Sequence, residues 1–273
     1  MQRSSPRRAR ALARSADPYD LYERSVQDPP RDVAFVDRWF RRYRGRTPLH
    51  LREDFCGTAA LCAAWVRSDG RRTAEGIDLC PEALAAGRRR HLEPLPASAR
   101  ARVRLVAGDV RTVHRRAVDV TCALNFSYCA LHERRDLVRY FRRVRRGLAD
   151  DGIFVLDVLG GRDAMIDNEE RHDHGAFVYV WEQTSFDPLT HRMKAAIHFE
   201  FPDGSRIHRA FAYDWRLWTV PELCDALVDA GFARVHRLWE RTGRDGEFTG
   251  SLYEPKGAVS NEDLWWTYLI AEA

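Results

Sequence analysis

The chain has 273 residues, of which 45% are hydrophobic and 31% are charged, and its formal net charge is +4 at pH 7. This length suffices for one large or two small domains with a full hydrophobic core. No apolar run approaches the ~20 residues that a membrane-spanning helix needs. No apolar segment follows the basic N-terminus, so we also predict no secretory signal. The clustered basic excess that is typical of nucleic-acid-binding proteins is missing, and we expect no nucleic-acid partner.

The cysteines indicate a reducing environment. None of them forms a C-x-x-C pair, which argues against a zinc ribbon. They lie in or beside apolar segments, as free buried thiols do, and this pattern predicts a cytoplasmic protein. The six residues are Cys56, Cys62, Cys80, Cys122, Cys129 and Cys224.

The N-terminal part of the chain divides into a tail and a helical cap. Residues 1–17 are rich in Arg, Ser and Ala and are predicted to be a disordered basic tail. Residues 18–46 are predicted to be helical, with an interruption at Asp28-Pro29-Pro30. Both pieces carry apolar residues at helical spacing, so each is expected to pack one face against the rest of the protein.

Residues 47–161 alternate between strand and helix patterns. Such an alternation with right-handed crossovers predicts an α/β fold with a doubly wound, mostly parallel sheet. The predicted strands are 49–54, 74–78, 102–106, 117–124 and 153–159, and the predicted helices begin at Ala59, at Pro81 and just before Leu137.

The rhythm changes after Gly161. Residues 162–216 are predicted to be an antiparallel β insert against one edge of the sheet, with a polar loop at 162–176 and strands at 177–185, 193–201 and 207–213. Residues 217–273 are predicted to complete the core sheet. They contain a capping box at 219–222, a helix to 230, a strand at 233–240, an irregular stretch at 242–261 and a last strand at 265–271.

Acidic residues end three of the predicted parallel strands. Asp78 can accept two hydrogen bonds from a ribose diol. Asp109 can accept from the exocyclic amine of adenine while the Val110 N–H donates to the ring. Glu53 or Asp54 would face a cation or an ordered water. Because the carboxyl ends of parallel strands meet at one edge of the sheet, these acids together predict an adenosine-containing cofactor there.

Four segments, EDFCGTA, GIDLCP, AGDV and ALNFSY, resemble in order and spacing the motifs of class I S-adenosylmethionine-dependent methyltransferases. The resemblance covers residues 49–159 well and the remainder loosely. It implies a seven-stranded Rossmann-like sheet with one antiparallel strand near the C-terminus. It also implies that Asp78 binds the ribose, that Asp109 and Val110 bind the adenine, and that the turn 55–58 passes the methionine part. Glu53 aligns with the acid that ends the family's first strand.

The turn departs from the family pattern. Gly57 is the single glycine of a turn that usually carries two or three, and Phe55 and Ala59 stand in the other places. Phe55 does not allow the close backbone approach that glycine does. The missing G-x-G-x-x-G and G-K-[ST] patterns also argue against a nicotinamide, flavin or nucleotide triphosphate site.

The remaining site residues are predicted from their position at the strand tips. Aromatic rings stabilise a sulfonium by cation–π attraction, and Tyr22, Phe55 and Tyr128 are the candidates. Asn125 can offer its carbonyl to the amino group of the cofactor, while Tyr128 or His132 would shape or deprotonate an acceptor. The full predicted cofactor set is Tyr22, Glu53, Asp54, Phe55, Cys56, Gly57, Thr58, Asp78, Leu79, Asp109, Val110 and Asn125.

Each of these residues also has a structural interpretation. Asp78 and Asp109 could cap turns, Glu53 and Asp54 could form ion pairs with nearby Arg residues, and Tyr128 could pack in the core. His172-Asp173-His174 lacks a third metal ligand, so we predict no metal.

The sequence therefore favours a methyltransferase that moves a methyl group from S-adenosylmethionine to an N or O atom of a small-molecule acceptor. In similar enzymes an insert such as 162–216 roofs the acceptor site or builds a dimer contact. Two alternatives stay open at this point. One is a protein that binds the cofactor without turnover, and the other is an RNA methyltransferase that uses the Arg-rich helices.

Overall fold

The computed structural model of the chain describes residues 11–112, 117–242 and 248–273. Most of the predicted tail, residues 1–10, lies outside these ranges. The described part of the tail contains a short helix, α1 (Leu12–Ser15), and is followed by α2 (Pro18–Val26) and α3 (Pro29–Arg44). The side chains of Asp17 and Asp28 accept hydrogen bonds from backbone N–H groups in the first turns of α2 and α3. These caps and the following prolines fix where the two helices begin.

The next part of the chain forms the core. Its elements are β1 (His50–Asp54), α4 (Ala60–Ser68), β2 (Thr73–Asp78), α5 (Pro81–Gly87), α6 (Ala97–Arg100), β3 (Val103–Ala107), β4 (Val118–Ala123), α7 (Arg134–Gly147) and β5 (Leu148–Gly160). A π-helical turn (Arg88–Leu92) extends α5, and a 3-10 turn (Ser127–Ala130) follows β4.

The C-terminal half adds a second sheet and completes the first. Its elements are β6 (Asn168–Asp173), β7 (Val178–Asp187), β8 (Arg192–Glu200), β9 (Arg206–Arg216), α8 (Val220–Asp229), β10 (Arg234–Arg237), β11 (Trp239–Thr242), β12 (Phe248–Tyr253) and β13 (Trp265–Glu272). A 3-10 turn (Asp163–Met165) precedes β6. The capping box predicted at Thr219 and Glu222 begins α8.

Seven strands form one mixed sheet in the order β10-β13-β5-β4-β1-β2-β3. The pairs within β3-β2-β1-β4-β5 are parallel, and β13 runs antiparallel to both β5 and β10. This arrangement confirms the predicted fold class, including the antiparallel strand near the C-terminus. Helices cover both faces of the sheet, with α7 and α8 on one side and α3 and α4 on the other.

The insert is a separate four-stranded antiparallel sheet in the order β6-β7-β8-β9. The prediction that it lies against one edge of the large sheet is wrong, because the edge strands of that sheet are β10 and β3. The insert instead packs over the strand tips: Met193 and Trp215 join the core cluster, and β9 contacts the 3-10 turn after β4. Residues of the insert and of the β4 tip therefore line common cavities.

Three local predictions are wrong. Part of the predicted loop 162–176 is the strand β6, whose polar sequence gives no apolar alternation because its side chains are mostly exposed. The predicted strand 233–240 is divided, since β10 pairs with β13 whereas β11 pairs with β12. Within the described part of the predicted irregular stretch, residues 248–253 form β12.

All six cysteines are free, and five of them are buried. Among the described residues, no helix is long and apolar enough to cross a membrane.

Candidate active site

The turn after β1 has a left-handed backbone conformation at three positions, although only one of them is glycine. Phe55, Gly57 and Ala59 all have left-handed φ values, of 57°, 52° and 56°. Only glycine adopts this region without steric cost, so Phe55 and Ala59 are strained. The turn therefore has the backbone of a three-glycine loop with side chains at two of the three positions.

Two glycines outside the turn allow α5 and β2 to pack closely against it. A Cβ atom on Gly87 of α5 would lie 2.1 Å from the Thr58 carbonyl oxygen, and one on Gly76 of β2 would lie 2.8 Å from Cys56 Sγ. Cys56 is buried and packs against β2, while the Thr58 hydroxyl donates to Glu23. Neither side chain lines the cavities described below, and both instead hold the turn in place.

Asp78 lies at the tip of β2, opposite this turn. Its Oδ2 accepts the Gly57 N–H at 2.7 Å, and its Oδ1 accepts the Cys80 N–H at 2.8 Å. Each carboxylate oxygen has room for a second hydrogen bond, so the pair can still accept from a diol.

A cavity of about 950 Å³ opens beside Asp78, and we call it the cofactor cavity. Its lining includes Phe55, Asp78, Leu79, Asp109 and Val110, all of which belong to the predicted cofactor set. The side chain of Leu79 is 67% exposed at its rim, whereas Val110 is buried. The residues predicted to bind the adenosine part are thus brought together.

Asp109 carries a partner of its own. The guanidinium of Arg111 donates to both carboxylate oxygens, at 3.0 Å from Nε to Oδ1 and 2.6 Å from Nη2 to Oδ2, and this lowers the pKa of Asp109. Asp109 is therefore a carboxylate near neutral pH. Each of its oxygens already has two contacts with N–H donors of Arg111, so an amine donor must share an oxygen with Arg111 or displace it.

The acids at the end of β1 lie away from the cofactor cavity. Alternate residues of a strand face opposite sides, so Asp54 points toward α7, where it accepts from Arg52 Nε at 2.7 Å and from the Tyr140 hydroxyl at 2.9 Å. Glu53 points toward α4 and accepts from the Cys62 N–H at 3.2 Å. Both are more than nine-tenths buried, and burial raises the pKa of Glu53 to about 8. The structure places Asp54 in the core rather than at a ligand.

The helix α2 is clamped over the turn by Glu23. Its carboxylate accepts from Thr58 Oγ1 at 2.6 Å, from His91 Nε2 at 2.8 Å and from Arg90 Nη2 at 3.0 Å. Burial opposes the charge, but these hydrogen bonds outweigh it and lower the pKa of Glu23 to about 2. We call Glu23 and its three partners the clasp. No sequence motif marks it, and the sequence analysis missed it.

Tyr22 reaches the other side of the strand tips. It lines a cavity of about 310 Å³ between the β4 tip and the insert, which we call the roof cavity. Burial raises the pKa of its hydroxyl to about 12, and its ring packs against Phe211 of β9 with centroids 5.0 Å apart. Tyr213 belongs to an aromatic cluster with Trp181 and Trp215, whose ring centroids lie 4.4 to 5.9 Å apart.

The roof cavity adjoins a second one of about 660 Å³, which we call the acidic cavity. Residues that line both are Ser25, Val26, Asn125, Phe126 and Trp266. Asn125 thus lies where the two cavities meet. The carboxylates that line the acidic cavity are those of Asp28, Asp32, Asp157 and Glu240.

Two of these carboxyl groups have a raised pKa. Burial raises the pKa of Asp157 to about 7, against hydrogen bonds from the Phe126 and Asn125 N–H groups. Burial and the neighbouring Asp28 raise the pKa of Asp32 to about 6. An acid inside the apolar run of β5 was a sequence signal for Asp157 that the analysis did not use. Asp32 gave no such signal.

The two predicted catalytic residues, Tyr128 and His132, lie outside the roof and acidic cavities. Tyr128 is 1% exposed, and its hydroxyl donates to the Asp157 carbonyl oxygen at 2.7 Å, so the structure gives it a packing role. His132 lines the cofactor cavity, where its Nε2 lies 2.7 Å from the Asp214 carbonyl oxygen. Neither lines the roof cavity, because the chain turns away from the strand tip after Phe126.

The chain was compared with known proteins. No protein-family model matches it, and no curated protein matches it. Solved structures do match over nearly the whole chain. An S-adenosylmethionine-dependent methyltransferase from Clostridium acetobutylicum ATCC 824 is 17% identical and has a TM-score of 0.69, over 93% of this chain and 96% of that one. The chain has a methyltransferase fold.

Two further solved structures that match are named as methyltransferases of sugars. One is an amino pentose methyltransferase from Micromonospora echinaspora, with S-adenosylmethionine bound. It is 19% identical, with a TM-score of 0.64 over 94% of this chain and 97% of that one. The other is a sugar N-methyltransferase from Streptoalloteichus sp ATCC 53650. It is 20% identical, with a TM-score of 0.61 over 98% of this chain and 96% of that one.

Proposed function

We propose that the chain binds S-adenosylmethionine in the cofactor cavity and transfers its methyl group to the nitrogen of a small-molecule amine. The observation that carries the proposal is that Asp78 and Asp109, on neighbouring strands, line one cavity beside the left-handed turn. Asp78 would accept the ribose hydroxyls, and Asp109 with Val110 would hold the adenine. The backbone of the turn and the carbonyl of Asn125 would hold the methionine part.

The bound cofactor supplies a methyl group that is already activated on a positively charged sulfur. The remaining task of the protein is to hold the two reactants in line and to exclude water. Holding them in line can lower the activation free energy by roughly up to ten kcal/mol. The roof cavity adjoins the β4 tip, and Tyr22 and the aromatic cluster of the insert close it from above. Its aromatic walls also suit a positively charged group.

An amine acceptor is favoured over a hydroxyl acceptor by the acidic cavity. An ammonium ion is attracted by the carboxyl groups of Asp28, Asp32, Asp157 and Glu240, which outnumber the guanidinium groups of Arg31 and Arg38 in the lining of that cavity. It must lose a proton before its lone pair can attack. Asp32, whose pKa is raised to about 6, is our candidate for the base, in place of Tyr128 and His132. The names of the amino pentose and sugar N-methyltransferases agree with this acceptor class.

Cofactor binding tests the proposal. Asp78→Asn removes the charge that would receive the ribose hydroxyls, and we expect it to weaken S-adenosylmethionine binding by at least about tenfold in titration calorimetry. Asp69→Asn is the control, because Asp69 is an acid just before the opposite end of β2 and accepts from Arg71 at the surface. No heat of binding from the wild-type protein at millimolar cofactor would refute the proposal.

Two other functions are less well supported. A binding protein without turnover is favoured only by the low glycine content of the turn, yet the turn keeps its left-handed backbone. Release of S-adenosylhomocysteine in the presence of an amine pool would exclude it. For an RNA methyltransferase, arginines of α7 would have to be free, but Arg134 pairs with Asp229 and Arg145 donates to the Gly231 carbonyl.

A further inference from the structure

A buried amide projects into the roof cavity from strand β7. Gln183 is 3% exposed and lines that cavity. It stands at a β-bulge, since the register between β7 and β8 shifts between Gln183 and Ser185. Bulges near active sites often re-aim one side chain.

The orientation of this amide is fixed by two backbone carbonyls. Gln183 Nε2 donates to the Ala164 oxygen at 3.0 Å and to the Ile166 oxygen at 2.8 Å. Exchanging the amide nitrogen and oxygen would place an oxygen against two carbonyl oxygens, so the assignment is determined by the contacts. Both N–H donors are used, and no described residue donates a hydrogen bond to Oε1.

A second amide lies directly across the strand pair. Asn168 of β6 pairs with Gln183, so the two side chains lie on the same face of the insert, about 5 Å apart at Cβ. Asn168 Nδ2 donates to the Asp163 carbonyl oxygen at 3.0 Å. Its Oδ1 is buried without a hydrogen-bond partner among the described residues. Asn168 also lines the roof cavity.

Two neighbouring carbonyl oxygens at this wall of the cavity accept no hydrogen bond from the described residues, and that of Asn168 is buried. An unsatisfied buried acceptor loses its hydrogen bond to water and gains nothing in return. Gln183 uses both of its N–H groups and Asn168 uses one, so the two side chains are held in place with their carbonyl oxygens left as acceptors. A ligand with hydroxyl groups at this wall can supply the donors.

We propose that Asn168 and Gln183 form a specificity site that accepts hydrogen bonds from two adjacent hydroxyl groups on the ring of the methyl acceptor. This inference rests on the proposed function. The aromatic cluster of Trp181, Tyr213 and Trp215 lines the same cavity and suits the face of a saturated ring. The acceptor class is thus a hydroxylated, saturated ring that carries an amine, and the amides select it by groups other than the methylated nitrogen.

Three probes separate the hydroxyl groups from the amine. They are cyclohexylamine, the aminocyclohexanol with one hydroxyl beside the amine, and the aminocyclohexanediol with hydroxyls on the two ring carbons that follow the amine-bearing carbon. Saturation-transfer NMR detects their binding to the complex with S-adenosylhomocysteine at millimolar concentration. For the wild-type protein we expect the diol to bind about tenfold more tightly than cyclohexylamine.

Two variants remove one amide each. Gln183→Met and Asn168→Leu are expected to lower the preference for the diol to less than about threefold and to leave cyclohexylamine binding unchanged. Thr184→Ala is the matched control, because Thr184 is the next residue of β7, faces the other way and donates to Lys194. Calorimetry with S-adenosylhomocysteine shows for each variant that the fold and the cofactor cavity are intact.

The outcomes distinguish the two proposals. Equal binding of the three probes to the wild-type complex, or no binding of any of them, would overturn the amide site while leaving cofactor binding in place. A preference that survives in both variants would overturn it as well. If the wild-type protein binds no S-adenosylhomocysteine, the proposed function itself fails. One folded variant suffices, because either substitution must reduce the preference.

Discussion

At the scale of single residues, the turn after β1 combines strain with function. The ring of Phe55 lines the cofactor cavity and packs edge-on against Tyr140, with centroids 5.6 Å apart. Its backbone lies in a region that an L-residue enters at a cost of roughly 1–2 kcal/mol. Backbone strain of this kind persists where the surroundings impose it, and it is concentrated at functional sites.

The strain at this position can be measured with two variants. Phe55→Gly and Phe55→Ala both lose the ring, but only glycine adopts a φ of 57° freely. We expect the glycine variant to be the more stable one, by about 1 kcal/mol in the free energy of unfolding from urea titration. Equal stability of the two variants would mean that the left-handed conformation is not retained. Both should bind S-adenosylmethionine more weakly than the wild type, because the cavity loses an aromatic wall.

Asp54 provides the contrast to Asp78. Asp54→Asn removes the charge that faces the buried guanidinium of Arg52, and breaking a buried ion pair costs about 3–5 kcal/mol. We expect a large loss of stability and, below the melting temperature, a change of less than about twofold in cofactor affinity. Asp78→Asn should show the reverse. A strong loss of S-adenosylmethionine affinity in Asp54→Asn would show that Asp54 contributes to cofactor binding, as the sequence predicted.

At the scale of elements, the helix α2 contacts both the turn after β1 and the insert. Glu23 ties it to the turn, Arg24 lies over the ring of Phe177 at 4.9 Å, and the ring of Tyr22 packs against Phe211 of the insert. Tyr22, Ser25 and Val26 of this helix line the roof cavity. We therefore expect the clasp to determine how firmly α2 is held over the strand tips.

Glu23→Gln weakens the clasp without changing the shape of the side chain. The ion pair with Arg90 is lost, and the hydrogen bonds from Arg90 and His91 weaken because their acceptor no longer carries a negative charge. We expect faster cleavage by trypsin at Arg24 and a several-fold weaker affinity for S-adenosylmethionine. Glu93→Gln, an exposed acid of the same core, is the control and should change neither. Unchanged cleavage at Arg24 would show that other contacts hold the helix.

At the scale of the whole molecule, the sequence predicts the fold well and the site partly. Apolar strands separated by helices are local patterns, and acids at the ends of β2 and β3 are brought together by any parallel sheet. The directions of Glu53 and Asp54 were not predictable, because one residue of shift along a strand reverses its face. The position of the insert, the clasp and the pair of amides depend on contacts between distant segments. No local pattern encodes such contacts.

The buried acids at the strand tips make the stability of the molecule depend on pH. The pKa of Glu53 is raised to about 8, that of Asp157 to about 7 and that of Asp32 to about 6. Between about pH 4 and these values the folded protein binds more protons than the unfolded chain, so stability falls as pH rises. The lowered pKa of Glu23 acts below its ordinary value of 4.5, outside this window.

We therefore expect the free energy of unfolding to decrease by a few kcal/mol between about pH 5 and about pH 8. Glu53→Gln keeps an oxygen for the Cys62 N–H and removes one of the titrating groups. It should match the wild type near pH 5 and be more stable near pH 8, as measured by urea unfolding at both values. If the variant and the wild type lose the same stability between these values, Glu53 is charged in the folded protein at neutral pH. Its carboxylate would then have a cationic partner at the strand tip, as the sequence first indicated.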